Sequence, residues 1–471
     1  REELILSMKL YNTAERRVVD FLPLEKDKVS MYCCGPTVYN FAHVGNLRAF
    51  LFEDVLRRTL TEQGFEVRHV MNITDVGHLT GDGDEGEDKM VKGAREKGMT
   101  VWQIADFFTK AFFHDAQQLH LHRPHVVCQA TEHIPQMIAL IQKLEGVGLA
   151  YQAGGNVYFD TARFPDYGKM ALLDRQEAPS LSRVELDAGK KNARDFVLWF
   201  TQSKFNDQAM TWDSPWGRGY PGWHIECSAM GIHYLGERFD IHCGGIDHIP
   251  VHHTNEIAQS EGALGHKWVN YWVHNEFLLL SKEKMSKSSG EFLTLSSLID
   301  RGYDPLDYRW FCFSAHYRSA LSFSWEALDA ARNARGNLVQ KIKEWKSGGP
   351  ALPPSAAATA YLTAWNDALA NDLSTPQALA ALWGLVKDPS IPQGEKLGIL
   401  LTMDRVLGLG LDKMEAAVLE LVPQPILELA QERDQARKAK NWSRSDELRD
   451  KLKQEGWIVE DTPSGPIVKK V

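Results

Sequence analysis

Residues 29–73 read VSMYCCGPTVYNFAHVGNLRAFLFEDVLRRTLTEQGFEVRHVMNI, and their order decides the fold. Val29 to Cys34 is a short apolar run with β character. A loop containing glycine follows, from Gly35 to Asn46. Leu47, Phe50, Leu51, Val55 and Leu60 then recur at helical spacing, and Gly64 supplies a C-terminal stop. Glu66 to Ile73 alternates as a second strand, with Val67, His69 and Met71 on one face. Strand, loop, helix and strand make one βαβ unit of a parallel sheet. Such sheets bind ligands beyond the carboxyl ends of their strands, which is where the 35–46 loop sits.

The rest of the chain extends this reading. At 471 residues it is too long for one ordinary domain. Apolar residues make up 44% and charged residues 24%, a globular rather than a disordered balance. A net charge of −9 argues against a generally basic nucleic-acid binder but leaves room for a local basic face. No run of apolar residues is long enough to span a membrane, and the first residues do not read as a signal peptide. Six cysteines are too few for a disulfide scaffold, so reduced thiols in a cytoplasmic protein are expected. Residues from about 120 to 200 are irregular and read as an insertion. A second α/β portion runs from about 205 to 300, and after Trp325 the pattern turns helical and Ala-rich. The stretch from Ser347 to Ser355 reads as a linker and Pro423-Gln424-Pro425 as a boundary. The acidic run 82–88 reads as a solvated loop, because it does not match a calcium-loop pattern.

Two motifs carry chemistry. His43-Val44-Gly45-Asn46 opens the first helix. A helix N-terminus offers unpaired N–H groups and partial positive charge to phosphate, and the glycine lets backbone approach a nucleotide closely. Taken alone, the same four residues also read as a polar loop beside a helix cap. Lys284-Met285-Ser286-Lys287-Ser288 lies about 240 residues later. Lys284 and Lys287 on such a loop can neutralise a transferring phosphoryl group and its leaving pyrophosphate.

In this order the two motifs resemble the His-Ile-Gly-His and Lys-Met-Ser-Lys-Ser signatures of class I aminoacyl-tRNA synthetases. Met31-Tyr32-Cys33-Cys34-Gly35-Pro36-Thr37-Val38-Tyr39, Asn72-Ile73-Thr74-Asp75, 222–230 (GWHIECSAM) and 252–260 (HHTNEIAQS) narrow the resemblance to the cysteinyl-tRNA synthetases. The similarity runs from about Lys9 to the C-terminus. Asn46 stands where the family often has its second histidine, and an asparagine there can still donate to phosphate or cap the helix.

The resemblance implies a Rossmann-type parallel-sheet catalytic domain with an insertion, then a helical domain and a small anticodon-binding domain. The expected spans are 9–120 and 205–300 for the catalytic halves and 121–204 for the inserted segment. The helical domain would cover 301–425 and the anticodon-binding end 426–471. It also implies that His43, Gly45, Asn46 and Lys287 bind ATP, and that His43, Asn46, Lys284 and Lys287 serve catalysis. Thr37, Asn72, Thr74, Trp223, Gly245 and Asp247 are expected around cysteine or its adenylate. Arg437, Trp442 and Asp446 are expected to meet tRNA, by phosphate pairing and base stacking; the competing reading is a surface helix of mixed charge. The resemblance picks Cys34, Cys227, His252 and Glu256 as ligands of one zinc ion, since no Cys-x-x-Cys pair exists to choose them by spacing. His252 and Glu256, four apart, would share one helix face. Cys33, Cys128, Cys243 and Cys312 read as structural, with Cys33 pointing opposite to Cys34.

Zinc accounts for selectivity in this reading. A plain pocket tells a thiol from a hydroxyl by only about 1–3 kcal/mol. A thiophilic metal adds a bond that serine makes poorly, so the substrate sulfur is expected on the zinc and no editing domain is expected. Magnesium would accompany ATP, and a monomer acting on cysteine, ATP and tRNA(Cys) is expected. Two rival readings stand beside this one. The first is a cysteine ligase for a small amine, as in mycothiol biosynthesis. The second is a non-catalytic, zinc-stabilised RNA-binding paralogue.

Overall fold

A computed structural model describes residues 8–76, 91, 94–95, 98–173, 189–202, 210–280, 293–416, 424–462 and 465–470. Lys284 and Lys287 lie outside the described residues, as does the acidic run 82–88. The chain divides into two compact units, one ending at Met414 and one beginning at Glu415.

The first unit opens with an antiparallel hairpin, β1 (Lys9–Asn12) and β2 (Arg17–Asp20). The βαβ unit follows as β3 (Lys28–Cys33), α1 (Val44–Glu62) and β4 (Glu66–Ile73). The helix starts three residues before the first apolar repeat position, because His43 and Asn46 build a capping box that satisfies its first N–H groups. Gly64 takes φ +92° and turns the chain back toward β4. Helix α2 (Val101–Gln118) and strand β5 (Val126–Gln129) come next, and α3 (Ile134–Gly146) leads into four strands. These are β6 (Ala150–Ala153), β7 (Asn156–Phe159), β8 (Phe196–Phe200) and β9 (Tyr220–Pro221), an antiparallel sheet in chain order. Helix α4 (Trp223–Leu235), β10 (Phe239–Gly245), α5 (Thr254–Leu264) and β11 (Val269–Asn275) complete the α/β portion.

The central sheet is wholly parallel, in the order β11-β10-β3-β4-β5. Strand β5 falls inside the span read as an insertion, yet it pairs with β4 as an edge strand. From β3 the chain crosses to β4 on one side, and β10 flanks β3 on the other. This places a topological switch point at the carboxyl ends of β3 and β10, where a crevice opens in sheets of this kind. Side chains alternate across β3. Met31 and Cys33 join the core beneath α1, whereas Tyr32 and Cys34 join the core beneath α4.

Beyond β11 come β12 (Leu278–Leu280), α6 (Leu295–Ile299), α7 (Pro305–Phe313) and β13 (Leu321–Phe323). The helices α8 (Trp325–Gly348), α9 (Ala356–Ala370), α10 (Thr375–Lys387) and α11 (Gln393–Leu407) close the first unit. Helix α8 runs through Ser347 and Gly348, two residues into the expected linker. Buried Arg309 of α7 and Arg58 of α1 both hold Asp54 Oδ2 at 2.7 Å, and so tie the helical part to the sheet.

The second unit is an α-helical pair, α12 (Gln424–Lys438) and α13 (Trp442–Gln454), followed by the antiparallel hairpin β14 (Trp457–Thr462) and β15 (Gly465–Lys470). Ile426, Ala430, Leu452 and Trp457 form its core. None of the described helices is long and apolar enough to cross a membrane.

Candidate functional site

A cleft of about 480 Å³ opens at the switch point. Its floor begins where β3 ends. Gly35 N–H donates to Asn72 Oδ1 at 2.9 Å, and a side chain on Gly35 would overlap the Asn72 carbonyl oxygen. Close approach of two strand ends therefore demands glycine there. Thr37 and Thr74 continue the pairing as a parallel bridge. Asn72 Nδ2 donates to Thr74 Oγ1 at 3.1 Å, and Thr74 Oγ1 donates to Glu226 Oε2 at 3.2 Å. Asn72 and Thr74 are thus held by each other and by α4.

One wall is the N-terminus of α1. His43 Nδ1 accepts from the Asn46 backbone N–H at 3.1 Å, and Asn46 Oδ1 accepts from the His43 backbone N–H at 3.2 Å. Asn46 takes the capping role, and the capped Nδ1 leaves the imidazole proton on Nε2. Burial lowers the His43 pKa, with Asp247 pulling the other way, so the neutral donor form is favoured. Val44 N–H donates to Leu293 O at 2.8 Å, and His43 forms a bridge with Thr294. The chain that leaves β12 at Leu280 therefore returns against the first turn of α1. Arg48 of α1 braces the same region by donating to the carbonyls of Glu276, Phe277 and Ser319.

At the opposite end stand Cys34, Cys227, His252 and Glu256. Each is buried, and their ligand atoms all lie within 4.8 Å of one another. Cys34 follows β3, Cys227 is on α4, and Glu256 is on α5. His252 lies in a single π-helical turn, Ile249–His253, that runs directly into α5. Such turns recur at functional sites. Here it keeps His252 Nε2 2.9 Å from Glu256 Oε1. Trp223 stacks on the His252 ring at 4.4 Å between centroids and fixes its plane.

The donor set fits a metal ion. Glu256 Oε2 faces His242 Nε2 at 2.8 Å, and Glu256 Oε1 meets His252 Nε2 at 2.9 Å. Two thiols, an imidazole and a carboxylate crowded together in a buried site offer a cation their lone pairs. Burial opposes charge on His252, yet Glu256 and Cys227 lift its pKa to about 10. Burial likewise opposes charge on Glu256, and His242 and His252 overcome it and hold it at about 2. A hydrogen bond from Cys34 brings Cys227 down to about 7. Two sulfurs, an imidazole and a carboxylate are ligands that zinc accepts. Cys34, His242, His253 and Glu256 form a second, overlapping cluster. Cys34, Cys227 and His252 line the cleft, whereas His242 and His253 do not. His253 is engaged otherwise, touching Cys34 Sγ at 3.3 Å and His274 at 2.7 Å, with His274 in turn on Thr13. It orients the sulfur from behind.

Thr37, Asn72, Thr74, Trp223, Gly245 and Asp247 all line the same cleft, together with His43, Gly45 and Asn46. Arg437, Trp442 and Asp446 belong to the second unit, around the turn between α12 and α13. Trp442 is 59% exposed there, and Asp446 pairs with Arg449 at 3.3 Å. His253 reads from sequence as either a group behind the ligands or a satisfied polar residue, whereas Glu226, Arg48 and the His274 and Thr13 that follow His253 in the hydrogen-bond series were passed over. Glu226 stands inside the quoted 222–230 stretch, one residue before Cys227, and a carboxylate in so apolar a run was a signal.

A family profile described as "tRNA synthetases class I (C) catalytic domain" matches residues 20–333. The chain is 49% identical to the cysteine–tRNA ligase of Treponema denticola over 492 residues, covering 99% of this chain and 100% of that one. It is 49% identical to cysteine–tRNA ligase 1 of Burkholderia lata over 462 residues, covering 98% and 96%. In fold it is similar to the Mycobacterium tuberculosis methionyl-tRNA synthetase in complex with methionyl-adenylate. That match has a TM-score of 0.57 at 16% identity, with 81% of this chain and 89% of that one covered.

Proposed function

This chain belongs to the cysteine–tRNA ligases, class I enzymes that join cysteine to its tRNA, and we propose that it selects the amino acid through a zinc ion held by Cys34, Cys227, His252 and Glu256. The observation that carries the proposal is the buried four-ligand cluster at the end of the cleft, two thiols, an imidazole and a carboxylate with ligand atoms within 4.8 Å of one another. Bound there, zinc would supply a soft, Lewis-acidic position that a thiol fills better than a hydroxyl and that favours the thiolate.

The chain's own residues do the rest of the work. The α-amino group of cysteine needs an acceptor, and Asp247 and Gly245 on the cleft wall are suited to it or to the adenosine. Thr37, Asn72 and Thr74 offer a fixed polar floor, because Asn72 and Thr74 are already hydrogen-bonded into the fold. The amino-acid carboxylate attacks the α-phosphorus of ATP, and pyrophosphate leaves. His43 Nε2–H and the N-terminal turn of α1 face the negative charge that grows on the phosphate oxygens. Magnesium accompanies the triphosphate. Lys284 and Lys287 neutralise the leaving pyrophosphate; support comes from Leu293 and Thr294, which follow them in sequence and lie beside Val44 and His43. A ribose hydroxyl at the 3′ end of tRNA(Cys) then displaces AMP. Catalysis is positioning and charge stabilisation without a covalent enzyme intermediate. Arg437, Trp442 and Asp446 read the anticodon end, Trp442 by stacking its exposed indole on a base. The reading includes a monomer working in the cytoplasm. The test is ATP–pyrophosphate exchange with cysteine, serine and alanine before and after chelation. Exchange with cysteine alone, lost on chelation and restored by zinc, supports the proposal. Exchange indifferent to chelation rejects it.

A further inference from the structure

A second group of buried ligand-type side chains lies on the other face of the central sheet. Cys33 ends β3, Glu53 reaches it from α1, and His69 stands on β4. They are 0%, 1% and 3% exposed. One ligand atom from each lies within 4.8 Å of the others. On a tetrahedral zinc such atoms stand about 3.5 Å apart, so small side-chain movements close the set.

The hydrogen bonding of this group is incomplete. Both ring nitrogens of His69, and Oε2 of Glu53, have no hydrogen-bond partner among the described residues. A buried imidazole with neither nitrogen engaged is rare, and a buried carboxyl oxygen beside it compounds the cost. The His69 backbone is nevertheless pinned, its N–H donating to His125 Nδ1 at 3.0 Å. The three side chains come from three different elements, each held in place by the sheet register or by the α1 core. Glu53 and His69 also line a cleft of about 1360 Å³, a path for an ion and room for a water ligand. Thr109 Oγ1, on the same cleft wall, is likewise without a partner among the described residues.

We propose that Cys33, Glu53 and His69 form a second metal site, distinct from the Cys34, Cys227, His252 and Glu256 set although Glu53 also lines the catalytic cleft, which takes a thiophilic borderline divalent cation such as zinc with solvent as the fourth ligand. Sulfur, imidazole and carboxylate together select this class of ion rather than magnesium or calcium. Cys33 and Cys34 are consecutive but face opposite sides of the sheet, so one strand end would serve two ions. The second ion would brace β3, β4 and α1 directly beneath the catalytic floor.

The experiment measures bound metal on the full chain. Zinc is counted by mass spectrometry after dialysis, and the apo protein is titrated with Co²⁺ while thiolate-to-cobalt absorption is followed. The wild type should hold about two equivalents of zinc, and His69→Gln and Glu53→Gln about one each. Cys227→Ser should also hold about one equivalent, with Co²⁺ absorption restored to that remaining site and then abolished by adding His69→Gln. A wild-type protein that saturates at one equivalent, with all of it lost in Cys227→Ser, overturns the proposal whether or not the His69 variant folds. A wild type that holds a single equivalent, kept in Cys227→Ser and lost in His69→Gln, would defeat the catalytic-zinc reading and leave this one standing.

Discussion

Replacing Gly35 with alanine tests how tightly the cleft floor is specified. The new methyl would overlap the Asn72 carbonyl oxygen and stand 2.9 Å from Met71 Cγ. Both obstacles belong to β4, and the first is backbone, so no rotamer change relieves it. The ends of β3 and β4 must part by more than about 1 Å, which carries Cys34 and Asn72 with them; a misplacement of that size costs about 100-fold in rate. That corresponds to about 2.7 kcal/mol in the barrier. The assay is ATP–pyrophosphate exchange with cysteine, run beside far-UV circular dichroism and zinc content. Gly146→Ala is the control, since a methyl there, at the end of α3, meets nothing within 4 Å. We expect Gly35→Ala to lose about two orders of magnitude with its helix content intact, and Gly146→Ala to match the wild type. Exchange by Gly35→Ala within about threefold of wild type would refute the reasoning from close approach.

Three further outcomes follow from the same structure. Lys287→Ala should lower pyrophosphate exchange about 100- to 1000-fold while cysteine binding, measured by calorimetry, stays put; unchanged exchange would remove Lys287 from the reaction. Asp54→Asn leaves Arg58 and Arg309 buried without their shared carboxylate and should destabilise the first unit by about 3–5 kcal/mol, read as a lower melting temperature. In the wild type, burial works against that carboxylate, but Arg309 and Arg58 bring its pKa from 3.8 to about 2. Its contribution of about 2 kcal/mol is therefore complete above the ordinary value and is lost as pH falls through the lower one, a loss Asp54→Asn should not show. Trp442→Ala should cut aminoacylation of tRNA by about tenfold or more and leave pyrophosphate exchange alone; equal effects on both would place the residue outside tRNA recognition.

Much of this architecture is legible in local sequence pattern alone. The 29–73 stretch announces strand, helix and strand, because apolar periodicity there is uninterrupted and Gly64 ends the helix. His252 and Glu256 are legible as one face because four residues make about one turn, although the π-helical turn beneath them left no local signal. Cys34 and Cys227 are a different matter. They meet only because β3 and α4 pack together, and without a Cys-x-x-Cys pair nothing local joins them. Family resemblance supplied that pairing. The role of Val126–Gln129 as an edge strand was hidden for a similar reason: a four-residue strand has too little periodicity to declare its partner. The Glu226–Thr74 contact and the unpartnered nitrogens of His69 depend on tertiary packing and surfaced only with the fold.

The central claim is that a thiol is told from a hydroxyl by bonding to an ion held by Cys34, Cys227, His252 and Glu256. Cobalt-substituted protein carrying His69→Gln, so that only this site is filled, tests it most directly. Adding cysteine should produce a new thiolate-to-cobalt absorption band that serine does not produce at any concentration. A spectrum left unchanged by saturating cysteine would contradict the account.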